Sequence, residues 1–546
     1  MKGVANRLTA TAEVGLLLML FFVVAGNPPP AINEAHYLVL AKNFWQPDWC
    51  AADAFVRSAK PHLLFHATFG SLTQIVSLAA AAWIGRLIGW LLLAVTLRSL
   101  TRAVCPIPYA CVAVAVVWIA GIQWFNLAGE WVIGGIEAKV PAYAFTLAAM
   151  TCIAGGYWRS AWPLLGIASA FHVLVGGWTV VATMVAYLVV GRHQSSPRRQ
   201  IVPLLIGGTI ALLGLWPALQ TSAAADPADS LLAARIYTYS RISHHLLPSS
   251  FPPHWYLRHL CLVAVSFAIA WPLRHERTFA ALFWLAVGCV AIAACGLLLG
   301  LLPAVNPDLA AKLLRFYWFR ASDAVLPLTL GLAIVATLAR RQGFAEQVVS
   351  GPGEGGGWKW GRDGIGVVVV AIAVVLVGYS SIDDARRAIP PASRFDVVTH
   401  GQGESFAAQR RAHEDWLAVC HWIDATLPAN EILITPRHQY TFKWYAQRAE
   451  VVNWKDVPQD AGSLVRWYRR FFDVYPRRLG TVRVTIRYAD LRRFQRQYGA
   501  RFVIVDRRVV GESLPLVQVY PQAGDPPNAT YAVYRLPYPA AELPLE

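Results

Sequence analysis

Apolar runs of spanning length recur through the first 380 residues, separated by short polar stretches. With about twenty residues needed to cross a hydrocarbon layer, the runs near 11–26, 83–98, 107–124, 139–155, 162–173, 174–190, 201–217, 256–273, 278–301, 320–339 and 364–380 predict about eleven transmembrane helices. The stretch from Trp162 to Val190 is too long for one span and is interrupted at Gly176-Gly177, so it divides into two short or tilted helices. Residues 63–82 are apolar but carry His66, Thr68 and Gln74, which suits a helix lying at the interface. The first run, with Lys2 and Arg7 ahead of it, has the outline of a signal peptide. No small-x-small cleavage pattern precedes Pro28-Pro29-Pro30, so it is read as an uncleaved first span.

From about residue 400 the pattern changes to alternating helical and strand-like segments of ordinary soluble composition. Helices are predicted over Glu404 to Thr426, Leu464 to Phe472 and Ala489 to Tyr498. Strands are predicted at 431–436, 449–454 and 501–507, with an edge strand at 531–536. The fold class is therefore mostly α: a polytopic helix bundle over 1–380 followed by a small α/β domain over 400–546. The bundle has a first outer loop at 27–62 and a long outer loop at 218–255. No Gly-rich phosphate loop, G-x-S-x-G elbow or HExxH motif occurs in the C-terminal domain.

Composition agrees with lipid as the partner: 56% of residues are hydrophobic and 15% charged, more apolar surface than one soluble core can hide. Trp90, Trp118, Trp124 and Trp131 sit at the ends of apolar runs, where indole rings anchor at headgroup level. The net charge of +16 comes from clusters between spans and in the last third, without a nucleic-acid-binding signature, so it is assigned to topology and anionic lipid. Lys2/Arg7, Arg98/Arg102, Arg159, Arg192/Arg198/Arg199, Arg274/Arg277 and Arg340/Arg341/Lys359/Arg362 all fall on one side of the membrane. That side is read as cytoplasmic, with 351–364 a flexible linker on it. Loops 27–62, 125–138, 218–255, 302–319 and everything after about 381 then lie outside. Eight cysteines show no CxxC spacing. Cys50 and Cys420, both on the outer side, are solitary thiols or a disulfide pair.

The first outer loop holds 33-NEAHYLVLAKNFW-45, where Asn33 is an N-cap candidate and Glu34, Tyr37, Leu38 and Ala41 share a helical face. Glu34 either completes the capped helix or presents a carboxylate just beyond the first span. This opening resembles the GT-C membrane glycosyltransferases, which include the protein O-mannosyltransferases and the transferase that adds aminoarabinose to lipid A. Their first outer loop carries an acidic motif followed by Tyr and Ala on one helix. Here Glu34, Tyr37 and Ala41 match, and Asn33 stands where the first acid often does. The resemblance implies a bacterial inner-membrane enzyme with its C-terminal domain outside the cytoplasm, a polyprenyl-phosphate sugar as donor, and Glu34 as the catalytic base. Tyr37 would line the substrate site.

Further candidates lie on the same side. Glu137 and Lys139 flank the start of a span, as an acceptor- or phosphate-holding pair or an interfacial snorkelling pair. The long loop carries Arg241 with adjacent His244 and His245, whose side chains point apart and do not easily chelate one ion; a divalent metal is the minority reading, no ligand motif supports it, and no cofactor is assigned. They contact a phosphate or sugar, or only shape the loop. Arg315 and Arg320 lead into a late span, and a planar guanidinium there suits a lipid phosphate whose tail stays in the bilayer. Alternatively Arg320 pairs with Asp323 at helical spacing. His66 and His172 are intramembrane polar residues, functional candidates or packed core. Arg437, His438, Arg448 and Lys455 are surface residues or acceptor contacts, and Asn528 fits a glycosylation pattern. The rival readings are a transporter, for which no inverted repeat or matched pair of broken helices is visible, and a noncatalytic envelope scaffold, supported by Asn33 in place of an acid.

Overall fold

The computed structural model describes residues 2–223, 225–341, 362–394, 405–475, 487–511 and 513–537. All eleven predicted spans are helices. In chain order the first eight helices are α1 (Lys2–Ala25), α2 (Glu34–Trp45), α3 (Leu63–Ala67), α4 (Leu78–Val104), α5 (Ala110–Phe125), α6 (Lys139–Ala154), α7 (Trp158–Phe171) and α8 (Val173–Ala186). Those that follow include Ile201–Ala223, Pro253–Ala270, Ala280–Leu299, Arg320–Arg341 and Arg362–Arg387. Among the described residues eight helices are long and apolar enough to cross a membrane. The other three predicted spans, α5, α6 and α7, are 14 to 16 residues long. Their burial explains the shortness: α5 and α6 pack inside the bundle rather than against lipid. Exposed Leu205, Leu213, Val368 and Val375 on the outer helices form the lipid-facing surface expected of an integral membrane protein.

The 63–82 stretch is not one interfacial helix. It is the single-turn α3, a 3-10 segment at Phe69–Gln74, and the first turn of α4, capped by Ser77 through the amide of Ala80. The break between the two helices of 158–186 falls at His172, whose ring accepts from the Val175 amide, and not at Gly176-Gly177. Gly166 of α7 meets Gly207, where an added Cβ would lie 2.3 Å from a backbone oxygen, and this close approach lets two helix backbones touch without side chains between them. At the end of the bundle away from the C-terminal domain, Glu13 is wholly buried and bonds both Arg98 and Arg102 at 2.7 Å. The 351–364 linker lies, but for its last residues, outside the described residues.

The C-terminal domain is a five-stranded sheet of order β2-β1-β3-β5-β4, with β1 Ile432–Ile434, β2 Ala449–Glu450, β3 Phe502–Asp506, β4 Val517–Tyr520 and β5 Tyr531–Arg535. β1 pairs parallel with β2 and β3, while β5 runs antiparallel to β3 and β4. The segment predicted as an edge strand is thus an inner one, and its partner β4 was not predicted. Tyr531, Val533 and Tyr534 of β5 are buried, consistent with an inner strand. The Phe406–Thr426, Ala461–Val474 and Tyr488–Tyr498 helices cover the sheet as predicted, the first packing with Leu433, Ile504 and Val533 on one face and the other two with Ile434, Val503 and Val505 on the other. Asn528 is buried, with its amide donating to the Asp415 carbonyl, and is closed to glycosylation in the fold. None of the eight cysteines forms a disulfide, so Cys50 and Cys420 are not a bonded pair.

Candidate functional site

A chain of charges runs along one wall of a 640 Å³ cavity between the bundle and the C-terminal domain. It begins at Arg320, at the start of its span, whose Nε lies 2.5 Å from Glu130 Oε2. Lys139, opening α6, places Nζ 2.9 Å from Glu130 and 2.9 Å from Glu137. Glu137 accepts from Asn33 Nδ2 at 2.8 Å, and Asn33 Oδ1 accepts from Lys455 Nζ at 2.8 Å. Six side chains from four distant segments are thereby joined, which is why charges this close to the bilayer can be held: each has a partner. Burial would raise the Glu130 carboxyl, but Arg320 and Lys139 outweigh it and hold it below its ordinary range. Burial, with Arg241 nearby, brings Lys455 down to about 8.

Asn33 occupies the N-cap position of α2 without capping it: its side chain makes no cap bond and serves the cavity wall. The amide is the group the position requires, since it donates to Glu137 with one atom while accepting from Lys455 with the other. A carboxylate there would set two negative charges within hydrogen-bond distance. Asn33→Asp is therefore expected to lower thermal stability in detergent by about 1–3 kcal/mol, the cost of an unsatisfied buried polar group. Combining it with Glu137→Gln, which returns a donor, should recover most of the loss.

Glu34 is placed elsewhere, and the geometry does not support a catalytic role for it. Only 1% exposed, it lies behind the cavity wall, bonded by both Nε and Nη2 of Arg86 at 2.6 and 2.5 Å and by the amides of Ala31 and Ile136 at 2.7 and 2.8 Å. Gly135 allows this approach, because a Cβ there would fall 2.7 Å from the Glu34 carboxyl carbon. All four lone-pair directions of the carboxylate are taken, so it has no capacity left for a substrate proton.

The other sequence candidates converge on the cavity: Tyr37, Glu137, Lys139, Arg241, His244, His245, Arg315 and Arg320 all line it. Arg320 does not pair with Asp323. It binds Glu130, bonds His172 Nε2 at 3.1 Å and stacks over Tyr317, whereas Asp323 accepts the amides of Leu127 and Ala128 at 2.8 and 2.9 Å. His172 is thus brought from the membrane interior of the sequence reading to the cavity wall. Arg241 donates to the Trp454 carbonyl at 2.9 Å and lies over its ring. His245 bonds the Ala128 carbonyl, and burial lowers it to about 4; His244 is lowered by burial too, so neither is a cation at neutral pH. Arg315 is exposed, and among the described residues its guanidinium has no hydrogen bond or ion pair and lies over the Phe316 ring, 5.7 Å from the centroid.

Of the C-terminal candidates Lys455 joins the cavity, Arg448 is held by Asp424 and the Leu427 carbonyl, and Arg437 and His438 are not on its lining. Glu130 was missed, although an acid in the short 125–138 loop carries the same signal that picked out Glu137. The opposite wall is apolar, formed by Leu215, Ala218 and Leu219 of the Ile201–Ala223 helix and by Phe316. Leu219 and Phe316 are exposed there. No group of three metal-ligating side chains occurs among the described residues.

A family model described as a domain of unknown function (DUF6798) matches residues 414–474, the part of the C-terminal domain that contains Lys455. No curated protein matches the chain in sequence. Among solved structures, it is similar to the archaeal oligosaccharyltransferase AglB from Archaeoglobus fulgidus in complex with an inhibitory peptide and a dolichol-phosphate. That match has a TM-score of 0.46 and 10% identity, over 92% of this chain and 70% of the other. It is also similar to ArnT from Cupriavidus metallidurans bound to undecaprenyl phosphate, at a TM-score of 0.46 and 14% identity, over 96% of this chain and 98% of the other. Likeness at this level carries no argument about the site, whose reading rests on its own side chains.

Proposed function

We propose that the protein is a membrane glycosyltransferase that moves a sugar from a polyprenyl-phosphate donor to an acceptor on the extracytoplasmic face. The observation that supports this most directly is the pairing of an uncommitted guanidinium, Arg315, with an apolar opening at Leu219 and Phe316 on one cavity. A lipid phosphate needs both: hydrocarbon contact for the chain and a planar cation for the phosphate oxygens. Arg315 and Arg320 bear on the phosphate, while Lys139, Glu137, Glu130 and Lys455 present the mixed donors and acceptors that hydroxyl-rich sugars bind. A polyprenyl phosphate is an acidic leaving group and departs without a general acid.

Labelled undecaprenyl-phosphate hexoses and pentoses, offered to the full chain in vesicles with envelope membrane fragments, test the reading through transfer of label to lipid, polymer or water. Binding of undecaprenyl phosphate itself provides the second readout. Arg315→Ala is expected to weaken that binding by about tenfold to hundredfold, the range of a hydrogen bond to a charged group, with little change in thermal stability because Arg315 supports nothing else. Undiminished binding in Arg315→Ala would remove it from the donor site. Tight binding with no transfer by the wild type would favour the scaffold.

A further inference from the structure

The proposed transfer requires a group to take the acceptor's proton, and the carboxylates near the cavity are committed. Glu34 is held by Arg86, Glu130 and Glu137 by Arg320, Lys139 and Asn33, and Asp323 by two backbone amides. One arrangement is different. His36 sits in the first turn of α2 and lines the cavity, wedged against Phe55 with ring centroids 4.5 Å apart. Its Nδ1 lies 3.4 Å from Asp456 Oδ1. Among the described residues nothing bonds Nε2. Behind it, Asp456 Oδ2 accepts from Lys443 Nζ at 2.7 Å and Asn453 Nδ2 at 2.8 Å, so the carboxylate is fixed in orientation.

The other imidazoles on the lining lack one or other part. His62 faces the Tyr37 hydroxyl and the Phe171 carbonyl, His172 is bonded by Arg320 and the Val175 amide, and His245 by the Ala128 carbonyl. Among the described residues no carboxylate pairs with His244.

We infer that His36 is the proton acceptor of the transfer reaction and Asp456 its positioning residue, a dyad assembled across the junction of the bundle and the C-terminal domain. The inference rests on the glycosyltransferase reading above. An acceptor hydroxyl oxygen forms the new bond to the anomeric carbon as the bond from that carbon to the phosphate oxygen breaks, its electron pair leaving with the phosphate. The hydroxyl proton passes to His36 Nε2. Asp456, at ion-pair distance from Nδ1 without an aligned hydrogen bond, favours the Nδ1–H tautomer by its charge and faces the imidazolium once formed, and the proton is later released to water. Burial lowers His36 below the ordinary imidazole range despite Asp456, which keeps Nε2 unprotonated and able to accept at neutral pH. Apart from Asp456, the charged and titratable groups around it act in the same sense or are neutral. Lys455 and Arg241 disfavour a second positive charge, His62 is itself lowered to about 4, and Tyr37 remains protonated.

The test uses the full chain in lipid vesicles with the undecaprenyl-phosphate sugar that the wild type turns over. His36→Gln is expected to lower kcat by about 10²–10⁴-fold, with undecaprenyl phosphate binding and thermal stability unchanged. It should also lose the acid limb of the pH profile, which in the wild type lies below the ordinary imidazole pKa. Imidazole added to His36→Ala should restore part of the rate, a response a packing role would not produce. Asp456→Asn is expected to retain more activity and move the acid limb further down, because it removes the group that raises the imidazole. A wild type that transfers sugar while His36→Gln keeps its rate and its acid limb overturns the assignment of the base alone. A wild type that transfers from no donor overturns the reading beneath it, and the assignment with it.

Discussion

Replacing Arg86 with methionine is expected to destabilise the protein by about 3–5 kcal/mol, because it leaves the Glu34 carboxylate charged, buried and without its partner inside the bundle. Arg86 sits in α4 with 1% of its surface exposed and, besides its two bonds to Glu34, donates to the Asn27 carbonyl at 2.5 Å. It therefore ties the end of α1, the start of α2 and the Gly135-Ile136 turn to one point. Glu34→Gln should be nearly as damaging, since it strands the guanidinium instead. Replacing both by methionine should recover most of the stability, as apolar substitution of a whole buried pair commonly does. Thermal unfolding in detergent checks all three. Equal stability of wild type and Arg86→Met would refute the structural role. Because Glu34 matches the acidic motif of the resemblance, its loss of activity on mutation would be read as catalytic unless stability were measured beside it.

Lys443→Met should be the other large effect. Its ammonium lies 2.6 Å from Glu450, 2.7 Å from Asp456 and 3.2 Å from Asp53, three buried carboxylates that share one cation. Asp53 comes from the first loop and the rest from the C-terminal domain, so the cluster fastens the two together. Removing the cation leaves several like charges buried at once, and a loss of about 3–5 kcal/mol or more follows. The effect carries a pH signature. Burial already holds the Glu450 carboxyl above its ordinary value even with Lys443 opposing it. Without Lys443 the folded-state pKa of Glu450 rises further above its value in the unfolded chain, and Asp456 loses the cation that holds it below its ordinary range. Protonation of Glu450 then favours the fold, so the variant should regain stability as pH falls toward and through that raised value, and lose it again as pH rises past it. A destabilisation independent of pH would show that lost packing, not unpaired charge, is responsible.

Hydropathy alone determined the eleven helices of the bundle and the change to an α/β domain near residue 400, because a span is a local property: its length and apolar content are written in consecutive residues. Charge bias also put the loops 27–62, 125–138, 218–255 and 302–319 on one face, and residues from all four meet at the cavity. What the chain order did not carry was partnership. Glu34 and Glu130 are both acids in short loops beside spans, and nothing local separates the one enclosed by Arg86 from the one on the cavity wall. Asn33 reads as a cap until Glu137, 104 positions away, and Lys455, 422 positions away, are brought to its two amide atoms. His36 reads as a polar residue on a helix until the C-terminal domain sets Asp456 behind it. The tertiary structure decided these roles because a buried charge is defined by whichever group neutralises it. In this fold those groups come from distant segments, joined by packing that no sequence window contains.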